Sequence, residues 1–194
     1  IVAFKPPFLL VHDDGNNQDT LQARVNGYLQ LNQNKYPAQA IHRIDYETSG
    51  LVLFCKHPFF QAYCDKNMEE HHIKKEYIAL VQGHTNYKNK KIISNIAKDR
   101  HNAKKMIIHP NGKESVSIFN TLKNYKDCSL IQVTILTGRK HQIRVQCASL
   151  DHPILNDPLY GCKKIDNTGL LLQSHHIQFN DVDITCPQEK RFIR

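Results

Sequence analysis

The sequence predicts an α+β fold, with a central mixed and largely antiparallel sheet flanked by helices. Two observations carry that prediction. Apolar stretches of strand length recur along the chain, and they come in runs instead of alternating strictly with helices. At 194 residues, 40% of them apolar and 23% charged, the chain can bury one sizeable core and reads as a single domain over 1–194. No apolar run approaches the roughly 18 residues that a spanning helix needs. The opening IVAFKPPFLL has neither the basic region nor the small-residue cleavage site of a signal peptide.

The elements follow in order. Leu21, Val25, Tyr28 and Leu29 fall on one helical stripe within 19–33, with Asn17 or Asp19 as N-cap. LVLFCK at 51–56 reads as a buried strand. A helix starts near Pro58, a favourable first-turn position, and buries Phe59, Tyr63 and Met68. YIALVQG at 77–83 is a further strand. KKIISNIAK and KKMIIHP interleave basic and apolar residues, as edge strands facing a polyanion do, and Asn111-Gly112 marks a turn. SVSIFNTL and SLIQVTIL are paired alternating strands joined through Asn124–Cys128. Gly138 ends the second strand, and a helix from His141 to Leu150 buries Ile143, Cys147 and Leu150. LLLQSHHIQF at 170–179 begins as a buried strand.

Charge and composition narrow the function. Between Lys74 and Lys113 ten Lys and Arg residues face only Glu76 and Asp99, so the whole net charge of +8 falls in this window. A localised basic stretch suits a polyanion, nucleic acid first and an acidic membrane surface second, and equally suits a solvated lysine-rich face. The six cysteines (55, 64, 128, 147, 162 and 186) form no CxxC pair and are expected to be reduced, buried thiols of a cytoplasmic protein. P-loop, GxGxxG, HExxH, EF-hand and GxSxG patterns are absent. The adjacent pairs His71-His72 and His175-His176 diverge on any regular element, so no metal site is expected.

Two polar segments stand out among apolar surroundings. His42-Arg43-Ile44-Asp45-Tyr46-Glu47-Thr48-Ser49-Gly50 feeds directly into the strand at Leu51. Thr137-Gly138-Arg139-Lys140-His141-Gln142-Ile143-Arg144 places three cations at the start of a short helix. Taken alone, an Asp in such a turn is more often a backbone cap than a nucleophile, and the cations suit phosphate clamps or solvation alike.

Together, HRIDYETSGLVLFCK and GRKHQIRVQCASLDHPILNDPLYG resemble two motifs of the RluA family of pseudouridine synthases, approximately HRLDxxTSGLLLxAK and GRxHQIRxHLxxxGHPIxGDxxYG. Lys75–Gly83 resembles the family's KxYxAxVxG strand, Phe4-Lys5-Pro6-Pro7 its opening KPxG element, and Leu170–Phe179 its LLLHAxxLxF strand. The matches occur in the family's order and cover nearly the whole chain.

The resemblance implies an isomerase that detaches uracil from C1′ of a uridine in ribosomal or transfer RNA, rotates it and rejoins it through C5, with no cofactor and no metal. It assigns the nucleophile to Asp45, a carboxylate suited to a glycosidic carbon with oxocarbenium character. It assigns the ion-pair partner to Arg144, since a nearby cation favours an ionised carboxylate. Tyr77 is the aromatic that stacks on the base, and Leu172, or the neighbouring Leu171, closes the pocket's other side. Arg43 fills the space left by the flipped-out uridine; Arg139 and Lys140 contact phosphates. The basic window becomes the RNA-docking surface of a cytoplasmic monomer with neither a membrane nor an obligate protein partner. No small N-terminal RNA-binding domain precedes the catalytic one in this sequence, which does not open on Met. The rival readings are a catalytically silent RNA-binding protein on the same fold and a metal-dependent hydrolase built on the histidines. Departures from the pattern fall at Phe8, Asp151 and Asn156, where the family has Gly, at Gln146, and at Gln173-Ser174.

Overall fold

The computed structural model describes residues 1–15, 19–162 and 166–193. Its elements are β1 (Val2–Lys5), α1 (Leu21–Leu31), β2 (Gln39–Ala40), β3 (Ser49–Cys55), α2 (Gln61–Glu69), β4 (Lys74–Gln82), β5 (Lys90–Lys98) and β6 (Met106–Ile108). They continue with β7 (Lys113–Asn124), β8 (Cys128–Ile135), α3 (Gln142–Ser149), β9 (Leu172–Phe179) and β10 (Val182–Thr185). Among the described residues the strands form one ten-stranded sheet ordered β1-β3-β9-β4-β8-β7-β5-β6, with β2 pairing β3 and β10 pairing β9. β3 runs parallel to β9, and the other paired strands are antiparallel. The sheet is mixed and largely antiparallel, as the runs of strands imply.

β3 is buried along its whole length because both of its faces are covered, which is why it reads as a continuous apolar run. Val52 and Phe54 join the large core that takes in Leu21, Val25 and Leu29 of α1. Leu51, Leu53 and Cys55 join a smaller core with Cys64 of α2 and Ile177 and Phe179 of β9. Gly50 marks where β3 and β9 come closest. Its φ is +115°, and a Cβ there would lie 2.2 Å from the Ser174 carbonyl oxygen. Only glycine permits this approach.

Several expected details differ. The N-cap of α1 is Thr20, whose hydroxyl accepts from the Ala23 N–H at 3.1 Å; Asp19 pairs with Arg24 instead, and Asn17 lies outside the described residues. Tyr28 is exposed, so the stripe of α1 is Leu21, Val25 and Leu29. Phe59 and Tyr63 are 80% and 50% exposed, and the inward positions of the second helix are Cys64 and, half-buried, Met68. A single 3-10 turn over Pro58–Phe60 precedes α2, and its three-residue period rotates the apolar stripe away from the phase read at Pro58. Leu150 is half-buried at the end of α3. β5 is an edge strand only over its first half, since β6 pairs with Ile96–Lys98. All six cysteines are buried, as the sequence leads one to expect.

Candidate active site

The site forms where three segments meet. Asp45 lies in the loop between β2 and β3, in a turn closed by the Thr48 N–H donating to the Asp45 carbonyl at 3.1 Å. The N-terminal strand holds this loop from behind. The ammonium of Lys5, fully buried, donates to the carbonyls of Pro6 (2.9 Å), Leu9 (2.8 Å) and Tyr46 (3.1 Å). The Tyr46 carbonyl also accepts the Phe8 N–H at 2.8 Å. Three carbonyl dipoles satisfy the cation, although burial pushes it down to about 8.

α3 supplies the partner of Asp45. Arg144, buried in the first turns of the helix, extends Nη1 to Asp45 Oδ2 at 3.4 Å. Its stronger bonds run the other way: Nε and Nη2 each donate to the fully buried Asp157 at 2.8 Å, a bidentate pair. Glu47 Oε2 stands 3.6 Å from Nη2, and the guanidinium lies over the Tyr160 ring, 5.1 Å from its centroid. Burial opposes charge on Arg144, but the hydrogen bonds and charge of Asp157, with Asp45 and Glu47 adding to them, outweigh it and hold the guanidinium above its ordinary range. Arg144 is therefore a fixed cation, locked by Asp157 with one nitrogen left facing Asp45.

His141 reaches Asp45 from the same helix start, with Nε2 3.8 Å from Oδ2. Its backbone is left-handed, φ 54°, a strained conformation of the kind concentrated at functional sites. Burial pushes its ring down to about 4, against the pull of Asp45, so it is neutral at neutral pH. The Tyr160 hydroxyl accepts the Met106 N–H at 2.8 Å and meets His141 Nδ1 at 2.8 Å.

The floor comes from the sheet. Tyr77, buried at mid-sheet on β4, is pushed up by burial, while a side-chain hydrogen bond with Ser174 works the other way and Asp45 adds to the rise. It is a neutral phenol. Leu172 of β9 lines the pocket, whereas Leu171 is fully buried in the core. The resulting pocket, about 80 Å³, is lined by Arg43, Asp45, Tyr77, Arg139, Arg144 and Leu172 among others. Six of the seven site residues expected from sequence thus converge on one cavity. Lys140 does not: it is exposed and lies outside the lining. Arg139 is exposed at the rim, with Nε donating to the Glu114 carbonyl at 2.9 Å. Sequence reasoning gave no role to Asp157, His141, Tyr160 or Lys5, although all four sit inside the motifs it quoted. Among the described residues no three His, Cys, Asp or Glu side chains gather as metal ligands.

The sequence profile of RNA pseudouridylate synthases matches residues 1–149. The chain belongs to that family. A Bacillus subtilis protein called uncharacterized RNA pseudouridine synthase YhcT is 34% identical over 83% of this chain and 54% of its own length. The ribosomal large subunit pseudouridine synthase C of Buchnera aphidicola is 39% identical over 78% of this chain and 53% of its own length. Such relatives put the chain on the RluA branch. The chain spans about half the length of these two curated relatives. The solved structure of human RNA pseudouridylate synthase domain containing 4 superposes with a TM-score of 0.81 at 19% identity, over 99% of this chain and 86% of that one, a likeness of fold.

Proposed function

We propose that this chain isomerises uridine to pseudouridine within RNA, with residues 1–194 acting as one catalytic domain. The N1–C1′ bond breaks, uracil turns, and a C5–C1′ bond forms; the C5 proton is lost and N1 gains one, so the exchange is redox-neutral and needs no cofactor. Asp45 is the nucleophile. Whether its carboxylate adds to C1′, adds to C6, or lets uracil leave through a glycal, it must be ionised and aimed. The observation that carries this reading is the Asp45–Arg144 pair at 3.4 Å, in a pocket also lined by Tyr77. Arg144 holds the carboxylate charged and in place, and Asp157 fixes Arg144. Tyr77 and Leu172 flank the base, and the Tyr77 hydroxyl is the candidate for moving the C5 proton.

A uridine within folded RNA must be extruded, at a cost of a few kcal/mol. Arg43, exposed at the pocket, fills the vacated space, because a guanidinium stacks on bases and bonds phosphates. Arg139 and Lys140 contact phosphates at the rim. Eight of the ten cations between Lys74 and Lys113 are exposed, which supports that window as the docking surface. The Buchnera relative's name favours ribosomal RNA over transfer RNA. No helix among the described residues is long and apolar enough to cross a membrane, and we read the protein as a cytoplasmic monomer.

Release of tritium from uracil C5 in unmodified ribosomal RNA transcripts tests the reading. Wild type is expected to release it and Asp45→Ala to release none. Release that survives Asp45→Ala, or no release by either, contradicts the assignment and returns the chain to a silent RNA-binding role.

A further inference from the structure

A second cavity, about 420 Å³, adjoins the catalytic pocket and shares Arg43, Tyr77 and Arg139 with it. Lys75 lies on its wall. It precedes Tyr77 by two residues on β4, so both side chains stand on one face of the sheet. Lys75 is only 6% exposed. The residues paired with it on the neighbouring strands are Ile135 of β8 and Ile177 of β9, so neither of these side chains offers an acceptor. Its one polar contact among the described residues is the Met68 thioether, 2.9 Å from Nζ, and sulfur of this kind is a weak acceptor. Burial pushes the amine down to about 8, which still leaves it charged at neutral pH. His42, on the same wall, is neutral, pushed down to about 3 by burial and by the Lys75 charge. Glu69 is the carboxylate lining the cavity; it is exposed, and no ion pair joins it to Lys75.

A buried ammonium without an anion lowers stability. Lys5, the comparable buried lysine, has three carbonyls around it; Lys75 has a cavity. We propose that Lys75, with Arg43 and Arg139 on the shared wall, forms an anion subsite that takes a backbone phosphate of the RNA, one step along the strand from the nucleotide in the catalytic pocket. Two residues of strand separate Lys75 from Tyr77, roughly 6.6 Å, a span that one sugar and its phosphate cover. This inference rests on the RNA-modifying function proposed above.

Binding of a uridine pentanucleotide, followed by fluorescence anisotropy across a salt series, tests it. Lys75→Met keeps the length of the side chain and removes the charge. The expected result is weaker binding by roughly tenfold or more, as for loss of a charge-assisted contact, and a salt slope shallower by about 0.7, as for one phosphate contact on a single strand. The variant should melt no lower than wild type. Replacing each linkage in turn by a neutral methylphosphonate should also reveal one linkage whose loss weakens wild type and leaves Lys75→Met unaffected. Wild-type binding that responds equally to every linkage overturns the subsite. So does a Lys75→Met variant with wild-type affinity and slope, or one whose weaker binding accompanies a lower melting temperature. Wild type that turns over RNA while the subsite fails leaves the proposed function standing; wild type that binds no RNA overturns both.

Discussion

Arg144 and Lys75 are buried cations on the walls of adjoining cavities, and their surroundings are opposites. Arg144 is 4% exposed and has Asp157, Asp45 and Glu47 within ion-pair distance. Lys75 is 6% exposed and has a thioether and two isoleucines. In the first wall the protein supplies all the negative charge, so the guanidinium becomes a rigid part that holds Asp45. In the second wall that charge is missing, which is the pattern expected where a ligand brings it. Burial alone therefore does not separate structural from binding cations. What separates them is whether the fold completes their electrostatics.

Removing Asp157 should break the comparison most severely. Asp157→Ala strips Arg144 of both short bonds and leaves a buried charge facing Asp45 and Glu47 alone. A loss of about 3–5 kcal/mol of stability is expected in urea unfolding, together with loss of turnover. A small change in stability would mean that Asp45 and Glu47 suffice to hold the guanidinium.

The Lys75 wall gives a smaller effect with a distinctive pH signature. Its amine binds its proton less tightly when folded, at about 8, than at its ordinary 10.5. Between those values the unfolded chain holds more protons, so the Lys75 contribution makes stability rise with pH. Wild type is therefore expected to gain on Lys75→Met, by on the order of 2–4 kcal/mol in full, as unfolding is followed from pH 7 to pH 10. A gap independent of pH would show that Lys75 has a partner in the folded protein. Exposed cations set the lower limit. Charge reversal at Lys88, Lys90 and Lys91 should shift stability by less than about 0.5 kcal/mol while making the salt dependence of RNA binding shallower; unchanged binding would return this edge to a merely solvated face.

Much of the fold was legible where burial follows local periodicity. Leu21, Val25 and Leu29 recur at helical spacing, and LVLFC reads as buried because both faces of β3 are covered. The second helix was misphased because a 3-10 turn precedes it and leaves no mark in hydrophobic spacing. The departures from the family's glycines acquire a physical meaning only in three dimensions. Phe8, Asp151 and Asn156 all hold left-handed backbone, at φ 62°, 61° and 65°, so the fold keeps glycine's conformation without glycine. Asn156 gains hydrogen bonds to Asp166 and the Gly169 carbonyl, and Phe8 packs edge-on against Tyr46 beside Asp45.

Of the site, the residues that face the pocket were legible through ordered motifs, whereas those that hold them were not. Asp157 and Tyr160 stand 13 and 16 positions beyond Arg144, and nothing in their spacing announces a bidentate pair or a ring beneath the guanidinium. Lys75 opens the strand that resembles KxYxAxVxG and otherwise counted as one more charge in a basic window; its burial beside a cavity is what the sequence does not show.

The proposed chemistry depends most on Asp45 reacting with the substrate rather than serving as a structural anion opposite Arg144. The direct test is a single-turnover assay of Asp45→Asn, at protein concentrations where anisotropy shows the RNA fully bound, with tritium release from uracil C5 as the readout. The expected result is RNA affinity within severalfold of wild type and no release. Release at a rate near wild type would contradict the role of Asp45, because a neutral amide can neither add to C1′ or C6 nor take the proton that the glycal route removes.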